Sequence, residues 1–272
     1  MRRFALLAAV AAVLCSCCLD GILPRVINGD SISADFNYDV PAFTAVKSLG
    51  SLDVIFTQGP QSVTLTCDSN LEEYYDIYVD GGVLFASVKR GAILRPHTDN
   101  VLTVSSPSLS AVSLTGSGDC CLKGAVECTG DLKLSVTGSS DLKADGPLSC
   151  DDLVIRTSGS GDISLGGSVS CDDLEARTTG SGDMRFFLLT AGSAVFASSG
   201  SGNIESDIAA DSITMTFSGS GDGDFFCKDA GHIDVRISGS SDVRLSGTAR
   251  SLSSKVSGSG RVNSSHLHLA GE

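Results

Sequence analysis

A short motif, Ser/Thr-Gly-Ser-Gly/Ser-Asp/Asn/Arg, occurs eight times in this chain. Its first glycines are Gly116, Gly138, Gly159, Gly180, Gly200, Gly219, Gly239 and Gly258, separated by 22, 21, 21, 20, 19, 20 and 19 residues. No other feature restricts the fold as much. A unit this short cannot bury its own apolar face, so successive units must stack. A period that tolerates one-residue slips is that of a solenoid coil, not of a coiled coil or helical repeat.

The residues around each glycine define the coil. Four positions before it stand Val112, Leu134, Ile155, Ala176, Phe196, Met215, Val235 and Ser254. The columns two and six before it are also mostly apolar or small. Between them, three before, stand Ser113, Ser135, Arg156, Arg177, Ala197, Thr216, Arg236 and Lys255. That alternation has period 2, so the segment is a strand with one buried face. Four after the glycine stand Cys120, Leu142, Ile163, Met184, Ile204, Gly223, Val243 and Val262, and five after stand Cys121, Lys143, Ser164, Arg185, Glu205, Asp224, Arg244 and Asn263. Each coil therefore reads as a strand, a Gly-Ser-Gly corner, a second strand and a connecting loop. Stacked at the usual strand spacing, seven intervals make a rod about 34 Å long. Parallel crossovers are overwhelmingly right-handed. The expected fold is all-β, a right-handed parallel β-solenoid of about 20 residues per coil, with Leu, Ile, Val, Phe and Ala ladders inside.

Residues 28–110 are less regular. Runs 53–57, 62–67 and 83–88 are apolar and β-branched, with turns at 58–61, 80–82 and 95–97. They read as degenerate first coils or as a small β region packed on the open end, where unpaired edges need a cover. At the other extreme, residues 1–18 read MRRFALLAAVAAVLCSCC. Arg2 and Arg3 precede an apolar segment that as a helix spans roughly 16 Å, too short for a bilayer core of ~30 Å. It is a signal peptide. Leu14-Cys15-Ser16-Cys17 resembles a lipobox, which implies a diacylglyceryl thioether on Cys17 and a membrane anchored through acyl chains. The expected organisation is a signal peptide over 1–16, a tether over 17–34, an N-terminal β region over 35–110 and regular coils over 111–272.

Charge narrows the partners. The formal net charge is −13, which repels phosphate backbones and argues against nucleic acid.

The stretch Pro107-Ser-Leu-Ser-Ala-Val-Ser-Leu-Thr-Gly-Ser-Gly118, the repeated Ser-Gly-Ser-Gly-Asp and the upstream Ala42-Phe-Thr-Ala-Val46 and Leu52-Asp-Val-Ile-Phe-Thr-Gln-Gly59 resemble the head GIN domain family. The similarity spans roughly residues 28–265. It implies a β-helix-like fold and a cell-envelope, surface role of the adhesin kind. It brings no catalytic residues with it.

Several columns invite a functional reading. Asp119, Asp141, Asp162, Asp183, Asn203, Asp222 and Asp242, followed by Arg261, would stack one strand spacing apart. Such a row suits Ca²⁺, or each Asp accepts hydrogen bonds from its own corner as in an Asx turn; the second is the expectation here, and no metal site or cofactor is assigned. The corner glycines are read as structural, supplying tight turns. Cys128, Cys150 and Cys171 follow the repeat and should form a small apolar ladder. Whether they, Cys67, Cys120, Cys121 and Cys227 are thiols or disulfides stays open in an exported chain. His266 and His268 lie two apart on one strand face, and Arg156, Arg177 and Arg236 project from one sheet; both are expected to be solvated. The expected function is that of a lipid-anchored, non-enzymatic envelope protein of the outer membrane, on its periplasmic side or at the cell surface, with a structural, binding or adhesion role toward a cell-surface glycan or protein. The alternative is a carbohydrate-active enzyme or glycan binder on a β-helix scaffold.

Overall fold

The computed structural model describes residues 24–270. It is a β-solenoid of about 8 turns, roughly 21 residues apart. The described residues contain no α-helix, and the single 3₁₀ turn is Glu72–Tyr74. The alternation read from the sequence is the alternation of burial. In Leu132–Gly138, Leu132, Leu134 and Val136 are buried and Lys133 and Thr137 exposed. The ladders are in register: Leu134 pairs with Ile155, Leu142 with Ile163, and Arg156 with Arg177, all in parallel.

One expectation needs correction. The connecting segment is a third side of the coil. Val126–Glu127 pairs in parallel with Leu148–Ser149, which pairs with Val169 and Ser170. The buried column Val126, Leu148, Val169, Leu189, Ile208 and Cys227 fills this side. It stands ten residues after Gly116, Gly138 and Gly159, nine after Gly180 and eight after Gly200 and Gly219. That drift hides it from columns counted at fixed offsets. Shortening is absorbed between the second and third sides, where the register shifts between Phe186 and Leu189. From Ile163–Thr178 onward these sides run on as single long strands.

The core responds to local volume. Phe196 packs against Phe186 at 5.8 Å and against Phe225 at 5.0 Å between ring centroids. Gly223 interrupts an otherwise apolar column beside them. A Cβ there would lie 2.8 Å from both the Phe217 and Phe225 rings, so the missing side chain makes room for the aromatic ones.

The first coil of the stack is not the first of the eight motifs. Ala45–Gly50 pairs in parallel with Ala111–Gly116, and Asp53–Gln58 with Cys120–Lys123, so Gly50 lies under Gly116. On its other side the same coil pairs in parallel with Val83–Val88 and Val101–Ser106. The chain thus enters one layer inside the end, builds the end, and returns. The end is closed by antiparallel strands: Tyr75–Asp80 on Val83–Val88, Ser62–Asp68 on Val101–Ser106, and Ser33–Asn37 on Ser62–Asp68. This region thus combines parallel coil strands with antiparallel covering strands. The stretch expected as a tether is strand from Arg25, because Arg25–Asn28 pairs with Ala92–Arg95.

Asp68 ties this cover together. Its side chain is fully buried and accepts the backbone N–H groups of Ser31 at 2.7 Å, His97 at 2.8 Å and Thr98 at 3.2 Å. Burial pushes the carboxyl pKa up, but these donors outweigh it and hold it below the ordinary carboxylate value. A lowered folded-state pKa contributes stability that is present above the unfolded value, about 4, and is lost as pH falls through the folded value. Asp68→Asn replaces one acceptor oxygen by a donor among N–H groups. It should cost about 1–3 kcal/mol near neutral pH and remove this part of the acid sensitivity. Unfolding curves from pH 7 downward test it; equal loss of stability with acid in both proteins would contradict it.

Candidate functional site

The corners are the most repeated geometry in the molecule. From Gly50 to Gly239 the corner glycine carbonyl accepts the N–H of the serine one coil further on: Ser117 donates to Gly50 at 2.8 Å, Ser160 to Gly138 at 2.8 Å, Ser181 to Gly159 at 2.7 Å, and so on to Ser259, which donates to Gly239 at 3.0 Å. Tight turning explains some of these glycines, such as Gly159 with φ 133°. It does not explain Gly180, whose φ is ordinary. A Cβ on Gly180 would overlap the Gly159 carbonyl oxygen below it. The corner backbones approach too closely for any side chain.

Next to the corner runs the acidic column, and its bonding corrects the expectation of closed Asx turns. Each carboxylate reaches to the following coil, not to its own corner. Asp53 Oδ1 accepts the N–H of Asp119 at 2.8 Å, Asp119 that of Asp141 at 2.8 Å, Asp141 that of Asp162 at 2.9 Å and Asp162 that of Asp183 at 2.8 Å. The row continues through Asn203 and Asp222 to Asp242. Arg261 ends it, donating to Asp242 at 2.7 Å and holding that carboxyl below its ordinary pKa.

The other candidate groups resolve into neighbours and pairs. Arg156 and Arg177 both bind Glu175, at 3.1 and 2.7 Å, and with Arg177 the larger cause they lower its pKa. Arg236 pairs with Asp234. His266 and His268 share the outward face of the last strand, opposite Ser246 and Thr248. Among the described residues no group of three His, Cys, Asp or Glu is placed to hold a metal ion. The seven cysteines from Cys67 to Cys227 are free thiols. Burial pushes Cys150 and Cys171 up to about 12, and Cys67 and Cys227 up to about 11. Cys171 continues into Ala191 and Ala210, so the cysteine ladder is one end of a small-residue column. The vicinal pair is strand alternation: Cys120 is buried, and Cys121 faces out toward Asp145. Cys17 lies outside the described residues.

The structure also displays a feature that the sequence columns passed over. Phe187 and Phe226 are exposed aromatics on one lateral side, two coils apart, at 71% and 45% accessibility. Both belong to Phe-Phe doublets, Phe186-Phe187 and Phe225-Phe226. In a strand of period 2, a doublet must put one ring inside and one outside. Arg185, Glu205, Asp207 and Asp224 lie beside them along a groove of about 440 Å³.

A family model described as "Putative auto-transporter adhesin, head GIN domain" matches residues 42–228 and again 204–270. Among solved structures, a "putative lipid binding protein" from Parabacteroides distasonis ATCC 8503 superposes with a TM-score of 0.78 at 23% identity, over 88% of this chain and 99% of that one. A "putative adhesin" from Parabacteroides merdae ATCC 43184 gives 0.77 at 21%, over 88% and 98%. At these identities the likeness is one of fold. Comparison with curated proteins gave no match.

Close backbone approach at the corner should make two glycines respond differently to substitution. Gly200→Ala places a methyl group against the Gly180 carbonyl and should cost about 1–3 kcal/mol or more. At Gly130 nothing lies within 4 Å and φ is not positive, so Gly130→Ala should change stability by no more than about 0.5 kcal/mol. Denaturant unfolding of the two variants checks this; equal effects would contradict steric exclusion at the corner.

Proposed function

The chain belongs to the family described as "Putative auto-transporter adhesin, head GIN domain", and from that membership we propose that it is a non-catalytic envelope protein. It is held to the outer membrane by a diacylglyceryl group on Cys17 and presents the sides of its solenoid to a cell-surface glycan or protein. The observation that carries this reading is the corner ladder. It fixes the stack as a stiff body whose outward columns recur at constant spacing, which suits display. The pairing of Arg156 and Arg177 on Glu175 favours binding over catalysis, because neighbouring charges neutralise one another instead of converging on one reacting point. Among the described residues no helix is long and apolar enough to cross a membrane. Attachment in this reading rests on Cys17, where acyl chains add about 0.8 kcal/mol per buried CH₂.

Cys17→Ala tests the anchor. The variant should leave the membrane fraction while keeping the unfolding midpoint of the parent chain. Protease added to whole cells should cleave the parent chain if it is displayed outward. Full retention of Cys17→Ala in the membrane fraction would contradict the anchor, and complete protection on intact cells would contradict outward display.

A further inference from the structure

We propose that the groove between Phe187 and Phe226 is a binding site for a neutral oligosaccharide. This rests on the binding role above and specifies where on the rod it resides and what chemistry it recognises. The groove crosses four successive coils, from Ser164 on one side to Phe226 on the other. Its floor is the sheet itself, so its long direction follows the stack. Phe187, Asp207 and Phe226 all line the groove, with Asp207 opposite Phe226 in the pairing register. Two strand spacings, about 9.6 Å, separate the two aromatic positions. An extended sugar chain laid along the stack can therefore meet both rings at once.

The side chains suit a sugar's two kinds of surface. A pyranose ring has an apolar C–H face and a rim of hydroxyls. Exposed phenyl rings cover the first kind, and carboxylates and guanidinium groups bond the second. Exposed aromatics among charged residues are otherwise costly to keep in water, and Phe187 at 71% accessibility touches little of the protein. The charged groups are already held in place. Arg185 Nε donates to Glu205 at 3.0 Å. Lys228 lies 3.2 Å from Asp207 and 5.8 Å from the centre of the Phe226 ring. Asp224 makes no side-chain hydrogen bond or ion pair among the described residues, which leaves one carboxylate free to accept hydroxyls.

Charge selects among sugars. The one cation lining the groove, Arg185, is paired with Glu205, Asp207 and Asp224 leave the lining negative, and the whole chain carries −13. Sialylated, uronic or sulfated chains would be repelled. An enclosed apolar ligand fits poorly, since the groove is open and rimmed by charge. Neutral hexose chains meet every condition.

The test uses the full chain on a panel of neutral gluco- and galacto-configured tetrasaccharides, with sialylated and sulfated tetrasaccharides beside them. At least one neutral member should bind and the acidic ones should not. Phe187→Ala and Phe226→Ala should each weaken that binding about tenfold, with unchanged unfolding midpoints because both rings are exposed. Asp224→Asn should weaken it less. Binding that survives in both phenylalanine variants, binding of acidic sugars only, or an empty panel overturns the site. Adhesion of cells bearing the chain separates the two readings. Adhesion that persists in the double Phe187→Ala/Phe226→Ala variant overturns this site and leaves the envelope-binding role standing. Absence of adhesion by the parent chain, with neutral sugars still bound, overturns display and leaves the site.

Discussion

The close approach of backbone to backbone at the corner is the constraint on which the rest of this fold depends. Each Gly carbonyl is near enough to the next coil to accept a serine N–H at 2.7–3.0 Å, and near enough to exclude any Cβ. That contact sets the rise of the stack and the register of both adjoining strands. With register fixed, Leu132 meets Leu153 and Leu142 meets Ile163, and the apolar columns close into one continuous core. A side chain at the corner would separate two coils and break register on both sides, where a one-residue slip turns the buried face outward.

The acidic column illustrates how the same geometry handles charge. Carboxylates stacked one strand spacing apart repel each other. Here each one accepts the N–H of the next coil at 2.8–2.9 Å, so a donor lies between successive charges. Asn203 interrupts the row, and Arg261 terminates it with a charge-assisted bond. The column is thus part of the stacking machinery. The same logic operates at the covered end, where buried Asp68 collects three donors from two segments that have no corner to order them.

Much of the architecture was legible in the sequence because it repeats at constant offsets from Gly116 to Gly258. The apolar columns before and after those glycines are the observed core. What was not legible departs from a constant offset or depends on neighbouring coils. The third side drifts from ten to eight residues past the glycine. The Gly50 coil lies 66 residues before Gly116 and has Leu52 where later corners have Gly or Ser, because nothing of its own kind is stacked below. The direction of the Asp hydrogen bonds belongs to no single coil and so leaves no local mark. The exposed rings did leave one, in the two Phe-Phe doublets, but only the inward partners fall in the apolar columns.

Corner serine amides, though attached to exposed side chains, are bonded from coil to coil. Native-state hydrogen exchange reads this directly. The amides of Ser139, Ser160, Ser181, Ser201 and Ser220, bonded at 2.7–2.9 Å, should exchange as slowly as those of the buried strand residues Leu134 and Ile155. Exchange of these serine amides at the rate of the open turn around Gly130 would contradict the account.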